Sequence, residues 1–428
     1  DDSGYDTESD DESSVDTTGD SDPEPDMSVP LSEGDNTDIM SVRPQTPQAA
    51  ERQEVSSLVD MEAVFPVFRE KGMKVIPSQM LNDPKQDGYK ARLVAGGHRQ
   101  DETVFRDTQS PTCNIEIIFM CVAIAAAEER RIAALDIKGA YLNAEMEGEV
   151  VYMDLNPHLT KVLCGLRPEW CKFIDSKGRM TVQLLRALYG CKQSAKLWND
   201  LLVAEFIKMG FKENLKAPCC FNTTIMGSQA TVCVHVDDLL ITHDSTAGVK
   251  AVIDLIKTRF KDVVVQDTSD IVYLGMDIHR GDNSDIEISM GDYEKKILEA
   301  RQTDGRAITP GQSNLFDVEK DSVPLSSEKS KEFHTACAKL LYLSKRTRPD
   351  ILIATSVLAG RVIEPTEDDN DKLSRVYKYL KKFPCGKLKF KGGKKFELQV
   401  YADAAYMCHT DMTSRTGMVI LANGGVIA

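Results

Sequence analysis

The chain has 428 residues, enough for two or three domains with substantial cores, and its formal net charge is −15 at pH 7. Residues 1–50 hold 15 of the acidic residues and a single basic one, Arg43, so the rest of the chain is close to neutral. The acidic balance therefore describes a tail. It does not exclude binding of nucleic acid by the body of the protein.

The acidic tail begins DDSGYDTESDDESSVDTTGDSDPEPDM and contains few large apolar residues. Such a segment cannot bury enough apolar surface to offset chain entropy, so we predict that residues 1–55 form a disordered tail or linker that proteases cut quickly. Ser9 precedes acidic residues and is a candidate phosphorylation site, although a solubilising linker explains the composition more simply. The chain starts without Met and stops after an apolar stretch, which predicts a piece of a longer protein.

Neither the cysteines nor the apolar runs indicate a secreted or membrane protein. Eleven cysteines are scattered without a C-x-x-C spacing, and the neighbours Cys219 and Cys220 are poorly placed to serve one metal ion or one disulfide. Reduced thiols inside a cell are therefore expected. The longest apolar run, IIFMCVAIAAA at residues 117–127, is too short to span a bilayer, so it predicts a core helix.

Ordered structure is expected to begin near Val55, and the first motif is YKARLVAGGHRQ at residues 89–100. Lys90 and Arg92 alternate with apolar residues before a Gly-Gly turn, so both cations fall on one face of a strand. Two cations so placed can bind a triphosphate, but an ordinary exposed strand face explains them equally well.

A helix over residues 115–131 leads into a short apolar strand at residues 132–135, which ends at Asp136. An acidic residue at the end of a buried strand is a typical position for a metal ligand. The alternative, about equally supported, is that Asp136 caps the turn or helix that follows.

The stretch TVCVHVDDLLIT at residues 231–242 places two adjacent carboxylates, Asp237 and Asp238, between two apolar runs. The β-branched and aliphatic flanks predict a buried hairpin with the acidic pair at its tip. Most Asp-Asp pairs are solvated turns, but carboxylates held against apolar surroundings must be paired, protonated or bound to a cation. Two of them side by side favour a divalent metal.

The remaining elements are predicted from periodicity and composition. An amphipathic helix starts near Lys196, YLGMDI at residues 273–278 is a short strand, and residues 292–302 form a charged helix. Gly, Pro, Ser, Asp and Lys at residues 304–331 predict a domain boundary, after which residues 332–382 are helical. The last alternating strand, ELQVYADAAYM, carries Asp403.

Seven of these segments, taken in order, resemble the reverse transcriptase region of copia-type retrotransposon polyproteins, and the resemblance covers roughly residues 60–428. An ordered set is far more specific than any single motif. The segments are YKARLVAGGHRQ, LDIKGAYLNAEMEGEVVYM, LLRALYGCKQSAKLW, CVHVDDLLIT, YLGMDI, KLLYLSKRTRPDILIA and YADAAYMCHTDMTSRTG.

The resemblance implies an α+β fold of the right-hand polymerase type, with fingers, palm and thumb. It assigns residues 56–303 to the fingers and palm and residues 304–395 to the thumb and connection. Residues 396–428 resemble the start of a ribonuclease H domain, with Asp403 as its first acid. Asp411 is too close along the chain to be a convincing second ligand, so no ribonuclease H activity is expected.

The resemblance also implies the members of the active site. Asp136, Asp237 and Asp238 would meet in the palm and bind two Mg²⁺ ions, with Mn²⁺ as a substitute. Tyr141 would exclude the 2′-hydroxyl of the incoming nucleotide, and its alternative is ordinary aromatic packing. Lys90 and Arg92 become candidates for the dNTP triphosphate.

The implied function is RNA-directed DNA polymerase activity on an RNA or DNA template and a primer, within a larger polyprotein and inside the cell, in a cytoplasmic virus-like particle. Two departures favour a rival, a catalytically inactive nucleic-acid-binding remnant: His235 stands where the family usually has Tyr, and Ala195 where it usually has Pro. A different two-metal phosphotransferase is a third and weaker alternative.

Overall fold

The computed structural model describes residues 43–85, 87–101, 108–393, 395–407 and 414–428. Residues 1–42 of the tail that we predicted to be disordered lie outside the described residues, and so does Asp411. Within the described part of the chain, no helix is both long and apolar enough to cross a membrane.

Helices and strands are interspersed along the chain, which gives a mixed α/β protein. The first part contains α1 (Pro47–Asp60), β1 (Val64–Val67), β2 (Val75–Lys85), β3 (Gly88–Ala95), α2 (Ile115–Ala127), β4 (Arg131–Ile137), β5 (Tyr152–Leu155), α3 (Pro157–Leu166), β6 (Met180–Leu184) and α4 (Ser194–Lys208). The middle part contains β7 (Lys212–Asn214), β8 (Ala217–Ile225), β9 (Ser228–His235), β10 (Asp238–His243), α5 (Thr246–Arg259), β11 (Val263–Gln266), β12 (Asp270–Tyr273), β13 (Met276–Arg280), β14 (Ile286–Ser289) and α6 (Gly291–Ala300). The last part contains α7 (Ser327–Ser344), α8 (Leu352–Ala359), α9 (Glu367–Lys382), β15 (Lys387–Phe390), β16 (Leu398–Ala405), β17 (Arg415–Ala422) and β18 (Gly425–Val426).

Ordered structure begins earlier than the expected Val55, because α1 starts at Pro47. The Thr46 side chain caps this helix by accepting a hydrogen bond from the Ala49 amide, and Pro47 occupies the first turn, where its missing N–H costs nothing. The polar sequence of α1 hides a buried face that includes Val55 and Leu58. Because the sequence around α1 is mostly polar, the start of this helix was not predicted.

Four sheets organise the described residues. A five-stranded sheet has the order β1-β6-β5-β2-β3, and a six-stranded sheet has the order β11-β4-β10-β9-β8-β7. A four-stranded sheet, β12-β13-β14-β15, and a three-stranded sheet, β16-β17-β18, follow. The largest core cluster lies around the six-stranded sheet, and α2 and α5 both pack against β10 within it. The three-residue run Leu239, Leu240 and Ile241 in β10 is fully buried there.

The YLGMDI segment differs from its prediction as one short strand. Tyr273 ends β12 and pairs with Met276, which begins β13. Leu274 and Gly275 between them have positive φ values of 50° and 72°, as a tight two-residue hairpin requires. An apolar run with a single glycine does not distinguish a strand from such a turn, so the prediction was wrong here.

The helical block is tied to the preceding elements by a buried ion pair. Arg348, just after α7, donates two hydrogen bonds of 3.0 and 2.9 Å to the Glu294 carboxylate on α6, and both side chains are nearly inaccessible. Arg348 also pairs with Asp350. Removing one partner of such a pair leaves a buried charge uncompensated, so this network holds α6 and α7 in register.

Candidate active site

Two of the predicted acids lie directly opposite each other in the six-stranded sheet. Strands β4 and β10 are antiparallel, and their register pairs Asp136 with Asp238. The amide of Ile137 donates to the carbonyl oxygen of Asp237 at 3.0 Å, so the third acid lies at the same strand end. Residues about a hundred positions apart thus converge because β4 adds to the edge of the β9–β10 hairpin.

The hairpin turn between β9 and β10 consists of Val236 and Asp237, since His235 pairs with Asp238. Val236 has a φ of 60°, a conformation that a β-branched residue rarely adopts and that costs about 1–3 kcal/mol. Trp198 of α4 supports the turn: its indole Nε1 donates to the Val236 carbonyl oxygen at 2.7 Å. Trp198 is only 1% exposed and packs edge-on against Phe260. The surrounding packing therefore fixes the tight turn that carries Asp237.

The carboxylates are close along the backbone, but their side chains are not drawn together. The Asp136 carboxylate pairs with the Lys138 ammonium at 2.8 Å. Across the described residues, only Cys121, Cys220 and Cys233 form a group of three metal-capable side chains whose ligand atoms all lie within 4.8 Å of one another. Sharing a cation among the three acids therefore requires rotation of their side chains and a new position for Lys138.

Tyr141 lies beside this acidic end of the sheet. It begins a short 3₁₀ turn after β4 and packs edge-on against Tyr189, with ring centroids 4.7 Å apart. Burial, and then the nearby Asp237 carboxylate, raise the pKa of the Tyr141 hydroxyl. The ring is thus held in place by Tyr189 and stays a neutral phenol near the acids.

The Gly-Gly turn after β3 packs against the loop that carries Tyr189. A Cβ atom on Gly97 would lie 1.9 Å from the Gly190 carbonyl oxygen, and one on Gly190 would lie 2.2 Å from the Ala95 carbonyl oxygen. Next to this contact, the buried side chains of Gln100 and Gln193 are joined by a 3.1 Å hydrogen bond. The close backbone approach explains the glycines in both motifs and links the five-stranded sheet to Tyr141.

Lys90 and Arg92 lie on one face of β3, as the alternation predicted, with Lys90 exposed and Arg92 half-buried. Burial raises the pKa of the Glu54 carboxyl on α1 above its usual value. Arg92 and Lys90 are close enough to lower this pKa in part. Glu54 also accepts a 2.9 Å hydrogen bond from the Leu93 amide. The two cations therefore lie beside α1 at the edge of the five-stranded sheet.

The two departures from the family pattern fit the fold without disturbing it. Ala195 is in the first turn of α4, where the hydroxyl of Ser194 bridges back to both backbone groups of Leu188. His235 ends β9, and burial lowers its pKa, so the imidazole is neutral at pH 7. Its buried Nδ1 has no hydrogen-bond partner within the described structure.

Asp403 is far less enclosed than the three acids. It lies on β16, all eight residues of which are exposed, and its strand partner is Gly417 on β17. The structure therefore gives Asp403 a position on a strand but shows no second acid beside it among the described residues of that sheet.

Sequence analysis missed Trp198 and Tyr189, although both fall in the quoted segment LLRALYGCKQSAKLW. A tryptophan within an amphipathic helix indicates a buried ring whose N–H needs an acceptor, but nothing in the sequence names that acceptor. A cleft of about 1070 Å³ lies between α1, α4 and the loop after β4 and is lined by residues of both charges. None of the three acids lines it.

Comparison with known proteins agrees with these observations. A family model described as reverse transcriptase (RNA-dependent DNA polymerase) matches residues 66–310. The chain is 26% identical over 362 residues to the retrovirus-related Pol polyprotein from transposon RE2 of Arabidopsis thaliana, which covers 81% of this chain and 23% of that protein. It is also 26% identical over 374 residues to the transposon Ty1-LR2 Gag-Pol polyprotein of Saccharomyces cerevisiae. This match covers 83% of this chain and 20% of that protein.

These relatives are retrotransposon Pol polyproteins of the copia type, so the resemblance predicted from the seven motifs is confirmed. The chain spans only about a fifth of the length of these curated relatives. Because the matching family model covers more than half of the chain, and includes both β4 and the β9–β10 hairpin, the chain belongs to the reverse transcriptase family.

Proposed function

We propose that this chain is an RNA-directed DNA polymerase, which adds deoxynucleotides to the 3′-hydroxyl of a primer on an RNA or DNA template. One observation carries the proposal: Asp136 lies opposite Asp238 across β4 and β10, with Asp237 in the adjoining turn. Three carboxylates at one strand end create a strong demand for cations, which nucleotidyl transfer uses. The ion pair between Asp136 and Lys138 is consistent with an ionised carboxylate at this position.

The three acids suit Mg²⁺, because it prefers oxygen ligands and leaves room for substrate phosphates, and Mn²⁺ shares this preference. When bound, two such ions would lower the pKa of the primer hydroxyl and stabilise the leaving pyrophosphate. Asp136, Asp237 and Asp238 would hold the ions, while the Trp198 hydrogen bond keeps the Asp237 turn in place. Lys138 would have to release the Asp136 carboxylate.

The other site residues receive roles from their positions. Tyr141, held by Tyr189 next to Asp237, would form the floor under the sugar and exclude a 2′-hydroxyl. Lys90 and Arg92 would contact the triphosphate from β3. The proposal requires the five-stranded sheet to face the acidic strand end, and the contact between Gly97 and Gly190 supports that placement.

The sheets and helices would form the parts of a right-hand polymerase. The five-stranded sheet would serve as fingers and the six-stranded sheet as palm, both within residues 56–303. Helices α7 to α9 would form the thumb and connection within residues 304–395. Residues 396–428 would contribute the first strands of a ribonuclease H-like domain, with Asp403 as a vestigial acid. The expected partners are template, primer, dNTPs and other parts of the same polyprotein, inside the cell.

The test is primer extension by the full chain on poly(rA)/oligo(dT) with Mg²⁺. We expect extension by the wild type and a loss of at least about 10³-fold in Asp237→Asn, the scale on which removal of one preorganised electrostatic group acts. Asp254→Asn, which removes a carboxylate from the exposed Lys250–Asp254 pair on α5, should leave extension unchanged. Template-primer binding should survive in both variants, because Lys and Arg contacts to phosphates supply most of that affinity.

The same experiment addresses the inactive-remnant alternative. A wild-type chain that binds template-primer but extends nothing, with Asp237→Asn indistinguishable from it, would replace the polymerase proposal with the remnant. The unpartnered Nδ1 of His235 is the structural feature that most favours this alternative, because it leaves a buried polar atom unsatisfied one residue from the turn.

A further inference from the structure

Three cysteine thiols meet in the core beneath the acidic hairpin. They come from separate elements: Cys121 from α2, Cys220 from β8 and Cys233 from β9. Their sulfur atoms all lie within 4.8 Å of one another, and those of Cys121 and Cys233 are 3.5 Å apart. The three residues are 9%, 3% and 1% exposed. This cluster has no role in the proposed polymerase chemistry.

The fold itself brings the thiols together. Cys220 and Cys233 are direct partners in the antiparallel pairing of β8 with β9. Cys121 reaches them from α2, which packs against the same sheet. The neighbours Cys219 and Cys220 point into different surroundings, and the Cys219 thiol donates to the Pro111 carbonyl oxygen instead. Sequence spacing therefore gave no sign of the cluster.

A fourth thiol, Cys113, adjoins the cluster. Its amide donates to the Val234 carbonyl oxygen at 2.8 Å, which fixes the backbone of Cys113 next to β9. The Cys113 thiol lies within interaction distance of the Cys233 thiol. Cys113 lies in the loop just before α2 and is 2% exposed. Cys113 is therefore the buried thiol next to β9 that can supply a fourth sulfur.

The spacing of the sulfurs fits a tetrahedral thiolate site. Zn²⁺ binds thiolates at about 2.3 Å, so two sulfurs of one tetrahedral site lie about 3.8 Å apart. A disulfide would consume Cys121 and Cys233 and leave Cys220 as an odd thiol between them. Simple core packing accounts for buried cysteines one at a time. It does not explain why residues from three elements put their sulfurs within 4.8 Å of one another.

We propose that Cys113, Cys121, Cys220 and Cys233 bind one Zn²⁺ ion in the core of the six-stranded sheet. Binding forms four zinc–sulfur bonds, and each thiol releases its proton to solvent. No oxidant or reductant is involved. The site would be structural, because it has four protein ligands and leaves no open position. It would fasten α2 and its preceding loop to β9, four residues before Asp237.

The test is metal analysis of the full chain, purified under reducing conditions without chelators, together with replacement of zinc by Co²⁺. We expect about one zinc per chain and an intense thiolate-to-Co²⁺ charge-transfer band that indicates four sulfur ligands. The band matters because carboxylates of the acidic tail or the hairpin also bind divalent ions but produce no such band. This readout does not depend on polymerase activity, so its failure would leave the proposed function standing.

Two variants locate the site. Cys220→Ser removes one of four thiolates and should weaken the charge-transfer band, whereas Cys337→Ser, which changes a buried cysteine of α7, should retain its full intensity. Zinc removal by a chelator should lower the melting temperature of the wild type and of Cys337→Ser by more than that of Cys220→Ser. If Cys220→Ser fails to fold, the wild-type Co²⁺ spectrum decides. A wild type that contains no zinc and gives no thiolate band with Co²⁺, or that contains a Cys121–Cys233 disulfide, would overturn the proposal.

Discussion

Asp136 and Asp403 look alike in the sequence, since each is an acid in or at the end of a predicted strand, but the structure gives them opposite surroundings. Asp136 lies on β4, which has β10 on one side and β11 on the other, and its side chain is 20% exposed. Asp403 lies on β16, an edge strand whose eight residues are all exposed. One acid is enclosed by a packed sheet and faces further acids, and the other is not.

The difference shows what turns a strand acid into a candidate catalytic group. A carboxylate against low-dielectric surroundings with like charges nearby requires a cation, whereas an exposed carboxylate is satisfied by water. At Asp136 the low-dielectric surroundings and the like charges come from segments distant in the chain, namely the β9–β10 hairpin and Trp198, which contacts its turn. Fold topology, more than the strand sequence, therefore distinguishes the two acids.

The largest expected effect compares the two acids directly. Asp136→Asn removes one of three charges from the proposed metal site, so primer extension should fall by about 10³-fold or more. Asp403→Asn should leave primer extension by the same chain within about 2-fold, since surface substitutions seldom disturb a distant site. Steady-state extension rates at saturating dNTP measure both. Equal losses in the two variants would mean that the enclosure of Asp136 does not define the site.

The second prediction tests the backbone contact that links the five-stranded sheet to the enclosed acids. Gly97→Ala places a methyl group 1.9 Å from the Gly190 carbonyl oxygen, so the free energy of unfolding should fall by about 3 kcal/mol. Gly417→Ala, opposite Asp403, adds a methyl group with no heavy atom within 4 Å. Its cost should stay below about 0.5 kcal/mol.

Chemical denaturation of both glycine variants measures these values. If Gly97→Ala were as mild as Gly417→Ala, the two motifs would not be in contact, and the placement of β3 beside Tyr189 would need revision.

The third prediction concerns the support of the turn. Trp198→Phe keeps an aromatic ring but removes the hydrogen bond to the Val236 carbonyl oxygen, leaving that acceptor unsatisfied. Loss of about 2 kcal/mol of unfolding free energy is expected, together with a roughly 10-fold slower extension as the Asp237 turn loosens. The chain offers one matched control, Trp170→Phe, at a partly exposed ring that packs against Phe65. If extension slowed in Trp170→Phe, or did not slow in Trp198→Phe, the Trp198 indole would not be the group that supports the turn.

Much of the local structure around the acids could be predicted from the sequence. A short apolar run indicated the strand before Asp136, and β-branched and aliphatic flanks indicated the hairpin bearing Asp237 and Asp238, because both patterns are local. The pairing of β4 with β10 is a long-range contact, and only the family resemblance brought these acids together before the structure was known. The turn at Leu274 and the early start of α1 were missed because a single glycine or a polar helix start carries little signal.

Contacts between distant motifs were beyond the reach of the sequence. The hydrogen bond from Trp198 to Val236 joins residues 38 positions apart, and nothing in either segment specifies the other. The cysteine cluster is similar, since its members come from a helix and two strands without any regular spacing. The Gly-Gly pair after β3 did indicate a turn, but its contact with Gly190 depends on how two distant segments are placed.

The smallest effect concerns substrate choice. Tyr141 is held by Tyr189 at the acidic strand end, and Tyr401 on β16 is 60% exposed and two residues from Asp403. Tyr141→Val removes the ring that would meet a 2′-hydroxyl, so incorporation of ribonucleotides relative to deoxyribonucleotides should rise about 10-fold, the scale of one small steric contact. Tyr401→Val should not change this ratio.

Tyr141→Phe keeps the ring and should also preserve selectivity, because exclusion depends on the volume of the ring and not on its hydroxyl, whose pKa is raised by burial and Asp237. Competition between ATP and dATP on a poly(dT) template measures the ratio. An active Tyr141→Val variant with wild-type selectivity would make Tyr141 a packing residue for Tyr189, and the enclosure around Asp136 would then select metal ions without selecting the sugar.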